Sequence, residues 1–164
     1  MRSEPISNMT SSSLRQGVLT YLGIIAVGNL LWESLQLPLY TIWSTGTVGE
    51  QAFAVIHCTG GDILISLSAL TLALVTVGDK SWPRGRFRQI AGLALIFGLA
   101  YTVFSEWLNV EVRATWGYST WMPVVPIAGL QIGLSPLLQW IVVPSAAFAI
   151  TRGLTIKQID GGRR

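Results

Sequence analysis

The chain has 164 residues, a length that favours one domain, and its single cysteine excludes an intrachain disulfide and a CxxC metal pair. Only 12% of the residues are charged, 51% are hydrophobic, and the mean hydropathy is +0.53. A soluble protein carries about 25% charge, so this composition, with its seven tryptophans and seventeen glycines, predicts an integral membrane protein.

The chain opens on a serine-rich stretch near Ser11 that is expected to be disordered. Val18–Leu37, ended by Pro38, is the first run of about 20 apolar residues, the length a hydrocarbon core of about 30 Å requires. No small-x-small cleavage site follows it, which favours a retained helix over a removed leader. Near its end, Asn29, Glu33 and Gln36 are spaced by four and three and so share one helical face.

The second predicted span is Ala52–Val77. Its first half holds FAVIHCTGGD, with the only histidine (His57), the only cysteine (Cys58) and Asp62, and no charge follows from Ile63 to Val77. At 1.5 Å of rise per residue, Asp62 lies on the order of 15 Å below Ala52, near mid-membrane. The Gly60–Gly61 pair reads as a place where another helix packs closely, with a local unwinding as the alternative. Cys58 reads as a small buried apolar residue.

The third span is Phe87–Leu108, where Thr102, Glu106 and Asn109 form a similar stripe that Arg113 extends if the helix continues. The segment 122–133 is too rich in proline for a straight span and is expected to be interfacial or re-entrant. The last span, 134–150, contains Pro136 and Pro144 and is expected to kink, with Gln131, Ser135 and Gln139 near its start. The predicted fold class is all-α: a four-transmembrane-helix bundle forming one membrane domain over residues 1–164.

Ten of the eleven Lys and Arg residues lie in the N-terminal tail, the 78–88 loop or the C-terminal tail, and only Arg113 lies elsewhere. The positive-inside rule therefore predicts cytoplasmic termini in a multi-pass inner-membrane protein, with loops 38–51 and 109–133 outside. Tyr40, Trp43, Trp107, Trp116, Tyr118 and Trp121 fit an interfacial aromatic belt in those outer loops.

With that orientation, all four spans carry their polar residues in the outer half. A charge at mid-membrane costs about 2.5–3.5 kcal/mol on insertion scales, so these groups are expected to face one another. The pattern implies an outward-facing polar pocket closed below by an apolar plug.

Several functions fit such a pocket. As a site for a small ligand, lipid or cation, it has Asp62 and Glu106 as candidate acid and base with His57 as proton shuttle, and Glu33, Asn29, Gln36, Asn109 and Arg113 as ligand-binding groups. His57, Asp62, Glu33 and Glu106 also make a possible ligand set for a divalent cation. The competing reading is an accessory subunit, in which the same groups lock helix packing, His57 is an interior hydrogen-bonded residue, and the outer loops dock a membrane-protein partner or a second copy. A transporter is disfavoured by the apolar inner half. Motifs for haem c, bis-histidine haem, zinc fingers, nucleotides and nucleic acids are absent, which leaves the lipid bilayer as the one partner composition implies and the presence of catalysis open.

Overall fold

The computed structural model describes residues 6–79 and 81–161, with side chains from 14 to 157 apart from residue 80. Arg2, Lys80, Arg163 and Arg164, four of the cations in the charge pattern, lie outside the described residues. The elements are α1 (Ile6–Gln36), a 3-10 turn (Leu37–Leu39), α2 (Ile42–Thr45), α3 (Val48–Val77), α4 (Phe87–Glu106), a π-helical turn (Trp107–Val112), β1 (Val124–Ile127), β2 (Leu130–Gly133) and α5 (Leu134–Gly161). Four helical stretches are long and apolar enough to cross a membrane: Leu14–Leu39, Val48–Val77, Phe87–Val112 and Leu134–Lys157. They agree with the four expected spans and are longer at one or both ends. The stretch around Ser11, expected to be disordered, is helical and continuous with α1.

The long helices form a ring in which α1 packs on α3, α3 on α4, α4 on α5 and α5 on α1. Gly28 faces Val143, Asn29 meets Gln139 and Trp32 meets Ser135, so α1 and α5 run antiparallel. Two glycines set the spacing of the ring. A Cβ added to Gly98 of α4 falls 2.4 Å from the Trp140 ring, and one added to Gly28 falls 2.7 Å from Val143. Small residues thus admit large neighbours where backbones come close. Gly60 and Gly61, expected to do this, have nothing within 4 Å of an added Cβ. Helix α3 also runs unbroken through both glycines, so neither the packing nor the unwinding expectation holds there.

Helix α3 starts with a capping box: the Thr47 hydroxyl accepts from the Glu50 amide at 3.3 Å, and Glu50 accepts from the Thr47 amide at 2.7 Å. It ends at Gly78, whose left-handed φ of 67° suits a residue without a Cβ. The following loop sends Trp82 back into the bundle. Trp82 is fully buried and packs edge-on against Tyr21 and Phe148, each at 6.3 Å. Ile25, Leu70, Ala73, Ile90, Ala94 and Ala147 complete this apolar core, the plug expected from the uncharged halves of the spans.

The segment 122–133 is not helical. It forms an antiparallel β-hairpin pairing Val124 with Gly133 and Ile127 with Leu130, a small sheet that the all-α expectation lacked. Its two-residue turn places Ala128 and Gly129 at φ values of 51° and 85°, the positive-φ pair a tight hairpin needs. Pro126 is accommodated because a two-stranded ladder leaves one side of each strand unpaired. The Leu134 amide donates to the Pro123 carbonyl at 2.7 Å and closes the hairpin onto α5.

Candidate functional site

The polar stripes meet at the hairpin end of the bundle, opposite the Trp82 core. Gln139 of α5 is 2% exposed and is the centre of the cluster. Its amide nitrogen lies 2.9 Å from each of three acceptors: Asn29 Oδ1 and Glu33 Oε1 on α1, and Asp62 Oδ2 on α3. Because α5 and α3 stand on opposite corners of the ring, this side chain reaches across the bundle axis. Gln36 Nε2 donates to Glu33 Oε1 at 2.8 Å and to Gln139 Oε1 at 3.1 Å. The Ser135 hydroxyl donates to Gln36 Oε1 at 2.7 Å, and the Trp32 indole donates to Ser135 Oγ at 3.2 Å.

An amide NH2 group has two hydrogens, so it cannot serve three acceptors fully at once. Glu33 Oε1 and Asp62 Oδ2 thus face the same nitrogen from two helices. Gln36 Nε2 supplies Glu33 Oε1, which leaves the two Gln139 hydrogens for Asn29 and Asp62.

On α4, Glu106 is buried, and its Oε2 accepts from the Tyr118 hydroxyl. Tyr118 in turn accepts from the Gly133 amide at 2.9 Å, which ties α4 to the hairpin. Trp116 directs its indole N–H toward the same Glu106 carboxyl but falls short of a formed hydrogen bond, and the nitrogen is buried. Tyr40 and Tyr118 pack at 5.8 Å, and the backbones at 39–41 and 117–119 are joined by Thr41 N to Gly117 O and Ser119 N to Leu39 O, each 2.9 Å. Burial pushes the Tyr40 phenol well above the usual tyrosine range, with the Glu106 charge adding to it. Burial also raises Tyr118, reinforced by its bond to Glu106. Both phenols therefore remain protonated donors at neutral pH.

Several of these residues border a partly open cavity of about 900 Å3. Glu33, Asp62 and Glu106 line it together with Gln36, Cys58 and Gln139, so most of the sequence-predicted polar set is brought together. Asn109 also lines it, although its amide is turned back onto the Ser105 carbonyl at 2.9 Å.

Two expected members stand apart from the network. His57 borders the cavity but is exposed, stacks on Phe53 at 5.4 Å, and has no hydrogen bond among the described residues. Arg113 is exposed at the rim, because the π-helical turn ends α4 before the stripe can reach it. Among the described residues, no group of three or more His, Cys, Asp and Glu side chains is arranged to hold a metal ion. His57, Asp62, Glu33 and Glu106 therefore do not assemble as the divalent-cation set expected of them.

Gln139, Ser135, Trp32, Tyr40 and Tyr118 were not among the expected site residues. Gln139 and Ser135 carry a sequence signal in their spacing of four at the start of the last span, on the face that meets α1. Of the two tyrosines expected in the interfacial belt, Tyr40 lines the cavity and Tyr118 bonds Glu106. Exposed Trp43, Trp107 and Trp121 remain compatible with that belt. No family model, curated protein or solved structure matches this chain.

Proposed function

We propose that the chain is a multi-pass inner-membrane protein whose cavity faces the extracytoplasmic side and binds the polar end of a small or amphiphilic ligand. The observation that carries this reading is the convergence of three carboxyl groups, from three different helices, on one open cavity of about 900 Å3. Polar groups needed only to lock helices together have no use for such a space, and a buried carboxyl in a membrane bundle is expensive to keep without a task. Asp62 and Glu106 are the groups placed to exchange protons with a ligand, while His57 stands at the mouth. The accessory-subunit alternative draws on the exposed Trp121 and Val124 at the start of the hairpin, a surface on which a membrane-protein partner or a second copy can dock.

Cys58, the only cysteine, lines the cavity and reports on it without mutation. In intact cells, a membrane-impermeant methanethiosulfonate added outside is expected to label it. Gly61→Leu puts a side chain into open space beside Cys58 and should block labelling while the protein accumulates normally. Labelling that occurs only after the inner membrane is opened refutes the orientation. Labelling unchanged by Gly61→Leu refutes the accessible cavity and favours the accessory reading.

A further inference from the structure

We propose that the end of the bundle opposite the cavity seats the phosphate of an anionic phospholipid, held by Arg88 of α4 and Arg152 of α5. This site is independent of what the cavity binds.

The described cations at this end are Arg15, Arg84, Arg86, Arg88, Arg152 and Lys157, and all six are exposed. Gly28 faces Val143 and Tyr21 stacks on Phe148, so the same antiparallel pairing brings Arg15 of α1 level with the 152–157 segment of α5. Phe87 and Lys157 are the ends of two apolar spans, which puts these cations at the depth of lipid headgroups. Among the described side chains one acid, Asp79, stands at this end. Its Oδ1 is already taken up by the Ser81 amide at 2.8 Å and the Ser81 hydroxyl at 2.6 Å.

Charge alone makes only a diffuse cationic layer, and the contacts of individual arginines single out a seat within it. Arg86 turns back to donate to the Val77 carbonyl at 3.3 Å, near the end of α3. Arg152 instead lies over the Phe87 ring, with its Cζ 4.8 Å from the centroid. Phe87 is in turn fixed by the Phe148 ring at 6.1 Å, one turn before Arg152 on α5. A guanidinium stacked by its face keeps its N–H edge free for a planar acceptor. Arg88, the next residue along α4, has no partner among the described residues. Two guanidinium groups therefore stand at the α4–α5 seam with no described carboxylate to balance them, and a phosphate, which arginine grips bidentately, does so.

The surroundings favour a lipid over a soluble anion. Trp82 fills the bundle interior at this end, so the arginines look outward. Ile150, Leu154 and Ile156, beside Arg152 on α5, are exposed and apolar and offer a surface for acyl chains. A zwitterionic headgroup carries its own cation, so the uncompensated charge selects an anionic one.

The test titrates full-length protein in detergent with dioctanoyl-phosphatidylglycerol or dioctanoyl-phosphatidylcholine and follows bound lipid by native mass spectrometry. Phosphatidylglycerol should bind about tenfold more tightly, and its affinity should fall with added salt. Arg88→Gln and Arg152→Gln should each weaken it about fivefold. Phe87→Leu keeps every charge yet should weaken it about threefold, because Arg152 loses its platform. Arg113→Gln, at the opposite end, should leave it unchanged. Equal affinity for the two lipids overturns the proposal, and this wild-type comparison requires no variant to fold. Displacement of the lipid by an equal concentration of inorganic phosphate overturns the lipid as the source of the phosphate. Indifference to Phe87→Leu, with Arg84→Gln as costly as Arg152→Gln, overturns the seat in favour of the diffuse layer.

Discussion

Gln139 carries no charge and belongs to no motif, yet three helices meet on its amide. Asp62 stood out in the sequence because a carboxyl in an apolar run is costly wherever it ends up. A glutamine there is only mildly polar, and its importance depends on which helix stands across the axis from it. Replacing it with leucine leaves Asn29 and Asp62 short of a donor while Gln36 still serves Glu33, at about 1–3 kcal/mol for each group left unsatisfied. Gln139→Leu should therefore lower the thermal unfolding temperature in detergent well beyond what Gln131→Leu does on the exposed hairpin, and equal shifts would contradict the network. The inward bond of Tyr118 to Glu106 was equally hidden, because an interfacial ring and one that bonds inward look alike in sequence. Tyr40 and Tyr118 are raised in the fold, so the stability they contribute is fully present below about pH 10, where the unfolded phenols begin to ionise. It is lost as the pH rises further toward the folded values. Unfolding measured from pH 9 to 11 should show this loss, and Tyr118→Phe should make it shallower.

The elements were legible in proportion to their regularity. Four long apolar runs can satisfy their backbones in lipid only as helices or a closed barrel, and their length and helical periodicity select helices. The hairpin escaped because its decisive features are a positive-φ pair at Ala128–Gly129 and a tyrosine contact far along the chain. Proline frequency alone rules out a straight helix without naming the substitute. Packing glycines were equally hard to place, since the sequence offers seventeen and only the neighbouring helix decides which ones matter. Gly98 faces the Trp140 ring and Gly60 faces open space. Gly98→Leu should therefore cost about 1–3 kcal/mol, or prevent accumulation, while Gly60→Leu should be neutral or stabilising through helix propensity. Comparing protein levels and detergent unfolding of the two variants checks this directly.

At the scale of the whole molecule, the two ends of the bundle are built from different chemistry. One end gathers carboxyl groups, amides and phenols around a cavity, and the other is packed with aromatic and aliphatic side chains. That polarity was readable from the sequence because each span changes character halfway along. The orientation in the membrane rests on cations alone: reporter fusions after Ser81 and after Arg164 should both give cytoplasmic signals, and a fusion after Gly117 the opposite. An extracytoplasmic signal after Ser81 would reverse the side to which the cavity opens.

Trp82 gives this asymmetry a kinetic meaning. A loop tryptophan driven between Tyr21 and Phe148 makes the far end of the bundle a blind wall. Under the proposed binding role that wall offers no exit, so capture and release both run through the hairpin half of the bundle. Trimming Trp82 should then weaken the fold without opening a second exit.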